Sequence, residues 1–221
     1  SLTSADLSNE AFPFRCVGEI DISLARVTCV RITYLGELGY ELNIPSEQAV
    51  HVSDRLVEAG ELFGLRHAGL GALSSLRMEK AYRDYGHDLD NTDDPYETGL
   101  GFAVRLDKQA DFLGKQACER KKAAAPWPNR LVQVLIKDPE PLMHHGEIVL
   151  RNGKPVGEVR AASYGHTLGG AVGLAFVHGD PVVEKAFLDG GEWEIDIAGR
   201  RYPAVVSLRP MYDPCMERVK A

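Results

Sequence analysis

The chain has 221 residues, 44% hydrophobic and 26% charged, which suits one or two packed units and excludes disordered and collagen-like chains. A formal charge of −7 offers no diffuse basic field to a phosphate backbone or an anionic membrane, so neither nucleic acid nor a membrane is an expected partner. The apolar runs fall well short of the ~20 residues of a spanning helix, and Cys16, Cys29, Cys118 and Cys215 lie far apart with no C-x-x-C among them, which argues against a zinc ribbon, a thioredoxin-like pair or a disulfide framework.

Those cysteines point to a reducing, cytoplasmic setting. The opening Ser1-Leu2-Thr3 carries neither methionine nor a signal-peptide core, which fits a segment excised from a longer protein. Ser4 to Phe14 is polar and has room for one or two helical turns. From Ala25 to Tyr34 β-branched residues dominate, and Val30, Ile32 and Tyr34 alternate onto one face of an expected strand. The glycines of Leu35-Gly36-Glu37-Leu38-Gly39 predict a hairpin, and Tyr40 to Ile44 alternates again with Glu41 opposite Tyr40, Leu42 and Ile44. Pro45-Ser46 reads as the start of a helix that ends at Gly60.

A second helix is expected from Leu70 to about Tyr82, because Leu70, Leu73, Arg77 and Ala81 share a face. An arginine in that stripe needs a carboxylate or an acceptor cluster. Asp84 to Glu97 is an acidic loop, and Phe112 to Lys122 fits a short helix. The two prolines of Ala123 to Asn129 mark a linker, which sets a first domain at residues 1–125 and a second at 126–221. Beyond it, apolar segments at Leu131–Ile136, Glu147–Leu150, Val156–Ala162, Ala171–Val177, Glu192–Ile197 and Tyr202–Leu208 alternate with turns, including Arg151-Asn152-Gly153. Spacing of roughly 8–12 residues predicts a small antiparallel barrel or sandwich. The fold class is therefore α+β, an antiparallel sheet with helices followed by a small antiparallel β-barrel.

Few residues suggest chemistry on their own. The loop Asp88 to Asp94 lacks the glycine and the closing glutamate of an EF-hand. The rings of His144 and His145 diverge on an extended strand, so no metal site is expected. Glycine pairs at Gly169-Gly170 and Gly190-Gly191 match no phosphate-binding fingerprint. Glu41 reads either as a solvated strand acid or as a site residue, and Arg77 as half of a buried ion pair or as a ligand contact.

Longer motifs decide more. Tyr34-Leu35-Gly36-Glu37-Leu38-Gly39-Tyr40-Glu41 resembles the Y-x-G-E-x-G-x-E signature of the folate-binding aminomethyltransferases, typified by the glycine cleavage T-protein. The resemblance continues through Leu73 to Lys80, Tyr85 to Asp90, Pro95 to Leu100 and Phe112 to Lys115. The opening Asp6-Leu7-Ser8-Asn9 and the closing Met211-Tyr212-Asp213-Pro214 look like the C-terminal folate domain of sarcosine and dimethylglycine dehydrogenases. This resemblance implies tetrahydrofolate as cofactor, with Glu41 accepting hydrogen bonds from the pterin, Tyr34 and Tyr85 lining the folate, and Arg77 and Arg218 contributing to ligand binding. It also implies that the catalytic aspartate lies upstream, so no catalytic residue is expected in this chain. FAD would belong to a preceding part of a dehydrogenase parent, which would oxidise a small N-methyl amine and pass its one-carbon unit to folate. A eukaryotic parent would then work in the mitochondrial matrix. A free-standing T-protein and a non-catalytic regulatory relative are the alternatives.

Overall fold

The computed structural model describes residues 2–221, which contact density divides into two compact units. One holds the residues up to Leu73 together with Cys215–Ala221, and the other is Ser74–Pro214. That division falls within a helix, whereas the sequence boundary stands at 125/126.

The first unit contains a three-stranded antiparallel sheet in the order β1-β2-β3, with β1 at Val17–Ile22, β2 at Ala25–Val30 and β3 at Glu41–Asn43. β1 was not among the expected strands. Its Ile20 and Ile22 alternate inward, opposite Val27 and Ala25 of β2. The expected face of β2 is also corrected. Ala25, Val27 and Cys29 are buried, and Val30 is only partly covered, because a small-residue face lets α1 (Ala49–Gly60) pack Val52 and Leu56 close to the sheet. No tight hairpin follows: β2 and β3 pair only from Thr28↔Asn43 to Val30↔Glu41, leaving residues 31–40 as an irregular connection. Near the N-terminus one helical turn forms, closed by the Phe12 N–H on the Ser8 carbonyl at 2.9 Å. Before α1, Ser46–Gln48 forms a single 3-10 turn, and Ser46 makes no side-chain cap.

Helix α2 spans Leu70–Glu79, shorter than expected. Its end is a Schellman closure, with the Tyr82 N–H on the Arg77 carbonyl at 2.9 Å, the Ala81 N–H on Met78 at 3.0 Å and Ala81 left-handed at φ 52°. The expected stripe is partly overturned, since Leu70 is exposed while Ser75, Arg77, Met78 and Glu79 are buried. A further helix, α3, spans Lys115–Ala123.

The second unit is built on a closed antiparallel barrel in the order β4-β7-β6-β5-β8-β9. Its strands are β4 Asn129–Ile136, β5 Ile148–Arg151, β6 Lys154–Gly165, β7 Gly170–His178, β8 Trp193–Ile197 and β9 Arg200–Ser207, with a short helix α4 at Lys185–Asp189 before β8. Asn152 (φ 52°) and Gly153 (φ 74°) supply the two left-handed positions that a tight β5–β6 hairpin requires. β4 and β7 are largely apolar on both sides, the buried Gln133 of β4 donating to the Met78 and Glu79 carbonyls. Val132, Val134, Ala175 and Val177 fill the barrel, while Leu131, Val172 and Leu174 form an outer cluster with Met78. That second layer is why both strands read as continuous apolar runs rather than as alternation. No helix among the described residues is long and apolar enough to cross a membrane.

Candidate functional site

In the first unit, β3 presents Glu41. Leu42 and Ile44 turn toward the core, and Glu41 and Asn43 occupy the opposite, exposed face, as period-two alternation requires. The Glu41 carboxylate has no hydrogen bond or ion pair among the described residues. The segment entering β3 is fixed at both ends. The Thr33 Oγ1 accepts from the Leu35 N–H at 3.0 Å and the Gly36 N–H at 3.1 Å, where Gly36 takes φ 80°. The Tyr40 hydroxyl donates to the Leu7 carbonyl at 2.9 Å. Tyr34 is half-buried in this segment. Arg218 is exposed in a single 3-10 turn at Arg218–Lys220 of the same unit.

The second unit holds Arg77 and Tyr85. Arg77 forks onto the buried Asp88: Nη2 donates to Oδ1 at 3.1 Å, and Nη1 donates to Oδ2 and to the Tyr82 carbonyl, the latter at 3.0 Å. Asp88 Oδ2 also accepts the Asp84 N–H at 2.9 Å. This is the bidentate geometry that best offsets the burial of two charges, and it commits the guanidinium to the loop that carries Tyr85. The Tyr85 ring itself is 72% exposed.

Neighbouring motif residues likewise bind protein. Glu79 accepts the Thr167 and Leu168 N–H groups at 2.7 and 2.8 Å, Lys80 donates to Asp213 Oδ2 at 2.9 Å, and the Ser75 hydroxyl donates to the Tyr164 carbonyl at 2.6 Å. Arg83 donates to the Thr98 and Ala81 carbonyls at 3.0 and 2.7 Å. Burial, and then the Arg130 charge, hold it below the ordinary guanidinium range against the opposing pull of Asp88. Sequence reasoning singled out only Arg77 of this group, although buried Glu79 and Lys80 flank it in the same motif.

The acidic loop is built from local turns. Asp90 Oδ1 accepts from the Thr92 N–H and hydroxyl at 2.7 and 2.6 Å, and Asp94 Oδ1 accepts from the Tyr96 and Glu97 N–H groups at 2.7 and 3.1 Å. These carboxylates terminate backbone amides, as Asx turns do. His145 Nδ1 lies 2.8 Å from the Arg160 carbonyl.

Two family models match the chain, and the first of them crosses the division between the two compact units. Residues 1–108 match the model of the GCVT N-terminal domain, and residues 129–213 match the glycine cleavage T-protein C-terminal barrel domain. The chain belongs to the glycine cleavage T-protein family. It is 43% identical over 219 residues to 4-methylaminobutanoate oxidase (formaldehyde-forming) of Paenarthrobacter nicotinovorans, covering 99% of this chain and 26% of that protein. It is 37% identical over 219 residues to human mitochondrial sarcosine dehydrogenase, covering 98% of this chain and 24% of that protein. The chain thus spans about a quarter of the length of these relatives. The crystal structure of glycine cleavage system aminomethyltransferase T from Bartonella henselae shares the fold, with a TM-score of 0.72 at 24% identity over 85% of this chain and 50% of that one. As a T-protein family member the chain joins an α+β unit to the family's barrel.

Proposed function

We propose that this chain is the folate-binding part of a longer flavin-dependent enzyme that oxidises a small N-methyl amine and transfers the released one-carbon unit to tetrahydrofolate. The observation that carries the reading is Glu41: an exposed, unengaged carboxylate, held on a paired strand at the family's signature position. Two carboxylate oxygens match the parallel N–H donors of a pterin amino group and ring nitrogen, as they match a guanidinium. The names of both dehydrogenase and oxidase relatives supply the substrate class, since sarcosine and 4-methylaminobutanoate are both N-methyl amino acids.

Glu41 and Tyr34 are the proposed folate-contacting residues of the first unit, with Arg218 as a further candidate. Arg77 enters this reading as a positioning residue, because its charge is already committed to Asp88 and its effect passes through the loop bearing Tyr85. A carbon unit at the oxidation level of formaldehyde is lost to water unless a closed pocket confines it. Folate capture next to the site of oxidation would prevent that loss.

The test is Glu41→Gln in the longer enzyme, with tetrahydrofolate affinity and flavin reduction by substrate measured side by side. The substitution keeps shape but replaces an acceptor oxygen with a donor facing a pterin N–H, and should weaken folate binding by on the order of 2–4 kcal/mol. Flavin reduction should persist. Unchanged folate affinity would return Glu41 to the solvated face of β3.

A further inference from the structure

The first unit contains a second constellation, unrelated to Glu41. A cavity of about 420 Å³ is lined by Asn9, Pro13, Phe14, Arg15, Arg31, Met216 and Lys220. Three of these seven residues are cations and none is an acid, in a chain whose net charge is −7.

Arg31 is the decisive member. Its side chain is only 2% exposed, yet its partners are all uncharged. Nη1 donates to the Phe12 carbonyl at 2.9 Å, Nη2 donates to the Asn9 side-chain oxygen, and the Tyr40 ring lies 5.9 Å from the guanidinium carbon. The buried Nε has no acceptor among the described residues. Neither Arg15 nor Lys220 pairs with a carboxylate within the described residues, and the guanidinium of Arg15 rests 5.5 Å from the Phe14 ring centre. A buried cation without a counterion is costly. Low-dielectric walls focus its field into the neighbouring cavity, where the two exposed cations add to it. An anion seated there would offset the burial of Arg31 and gain charge-assisted hydrogen bonds from Arg15 and Lys220.

We propose that this cavity binds a small multivalent oxyanion of the phosphate or dicarboxylate class. Three convergent cations favour two or more negative charges over one, and the volume exceeds that of a lone monatomic ion. Glu41, Tyr34 and Arg218 do not line this cavity, although Arg218 shares a 3-10 turn with Lys220.

Calorimetric titration of the chain with inorganic phosphate, succinate and acetate, at ionic strength held constant with potassium chloride, tests the assignment. Phosphate, succinate or both should bind saturably with a dissociation constant of about 1 mM or tighter, and acetate much more weakly. Which dianion binds names the ligand class. Arg31 is buried and its removal would also disturb packing, so the deciding variants are exposed ones. Arg15→Gly suits the left-handed backbone there, at φ 74°, and Lys220→Ala removes the second outer cation. Each should weaken dianion binding roughly threefold or more, and the pair together should abolish it, while Lys154→Ala in the barrel unit leaves it unchanged. The absence of saturable dianion binding, equal binding of acetate, or full binding by the double variant would overturn the proposal.

Discussion

Two buried arginines show how differently one residue type can be satisfied. Arg77 meets a carboxylate with both ends of its fork, whereas Arg31 meets only a carbonyl, an amide oxygen and an aromatic ring. For Arg77 the consequence is measurable in urea unfolding. Asp88→Ala should destabilise by about 3–5 kcal/mol, because it strands a buried charge. Arg77→Met combined with Asp88→Leu should recover much of that loss, since neither charge then remains. Equal destabilisation by the single and the double variant would show that the hydrogen bonds of Asp88 to Asp84, rather than the ion pair, dominate. Arg77 was legible in the sequence as an arginine in an apolar stripe, and Glu41 as the odd member of an alternating strand. Arg31 was not. It ends a run of β-branched residues in which the larger side chains, Val30 and Ile32, lie on the other parity, so pattern alone favoured the wrong face of β2.

Among the elements, the barrel strands were the most legible, because turn residues bracket each of them. The Asn152-Gly153 pair and the apolar runs at β4 and β7 gave boundaries within a few residues of those observed. β6 ran longer than expected, from Lys154 to Gly165, since its polar ends continue to pair with β5 and β7 after the apolar signal has stopped. β1 carried a usable signal, the alternation of Ile20 and Ile22 with Glu19 and Asp21, but its short length and polar neighbours masked it. The connection at residues 31–40 misled for a physical reason: glycines permit a hairpin but do not require one, and here Thr33 builds a side-chain turn instead. Within β6, Gly157 is fixed by packing rather than by dihedral freedom. A Cβ there would stand 2.0 Å from the Phe176 carbonyl oxygen across the ladder. Gly157→Ala should therefore cost about 3 kcal/mol or more in stability, through displacement of β6 from β7. Gly71→Ala, where nothing lies within 4 Å of the added Cβ, should be neutral to mildly stabilising because it sits in helix α2. Similar losses for the two variants in thermal unfolding would contradict the packing argument.

At the scale of the whole molecule, each of the two units is stabilised internally by its own means, and their local stabilities should differ accordingly. The barrel closes on itself, so the main-chain groups of its strands find partners around the ring without a free edge. Its core is a single cluster extending from Val132 to Ala204, with a second layer of Met78, Leu131 and Leu174 outside β4 and β7. The other unit rests on a three-stranded open sheet and helix α1, around a smaller cluster of Phe12, Ile20, Ile22, Ala25, Val27, Cys29 and Val52. Every residue from Glu61 to Leu70 is exposed, including Leu62 at 91% and Phe63 at 89%. A segment with so little burial opens at low free energy, since few contacts oppose its gain in conformational freedom. Hydrogen exchange should therefore find the amides of β4 and β7 the slowest, and those of residues 61–70 the fastest outside the termini. Limited proteolysis with a protease that cuts after large apolar residues should first cleave near Leu62-Phe63 and leave the barrel unit intact. If initial cleavage instead falls among the β4 to β9 strands, or if β4 exchanges as fast as β3, the closed barrel is not the more stable unit and the ranking by burial fails.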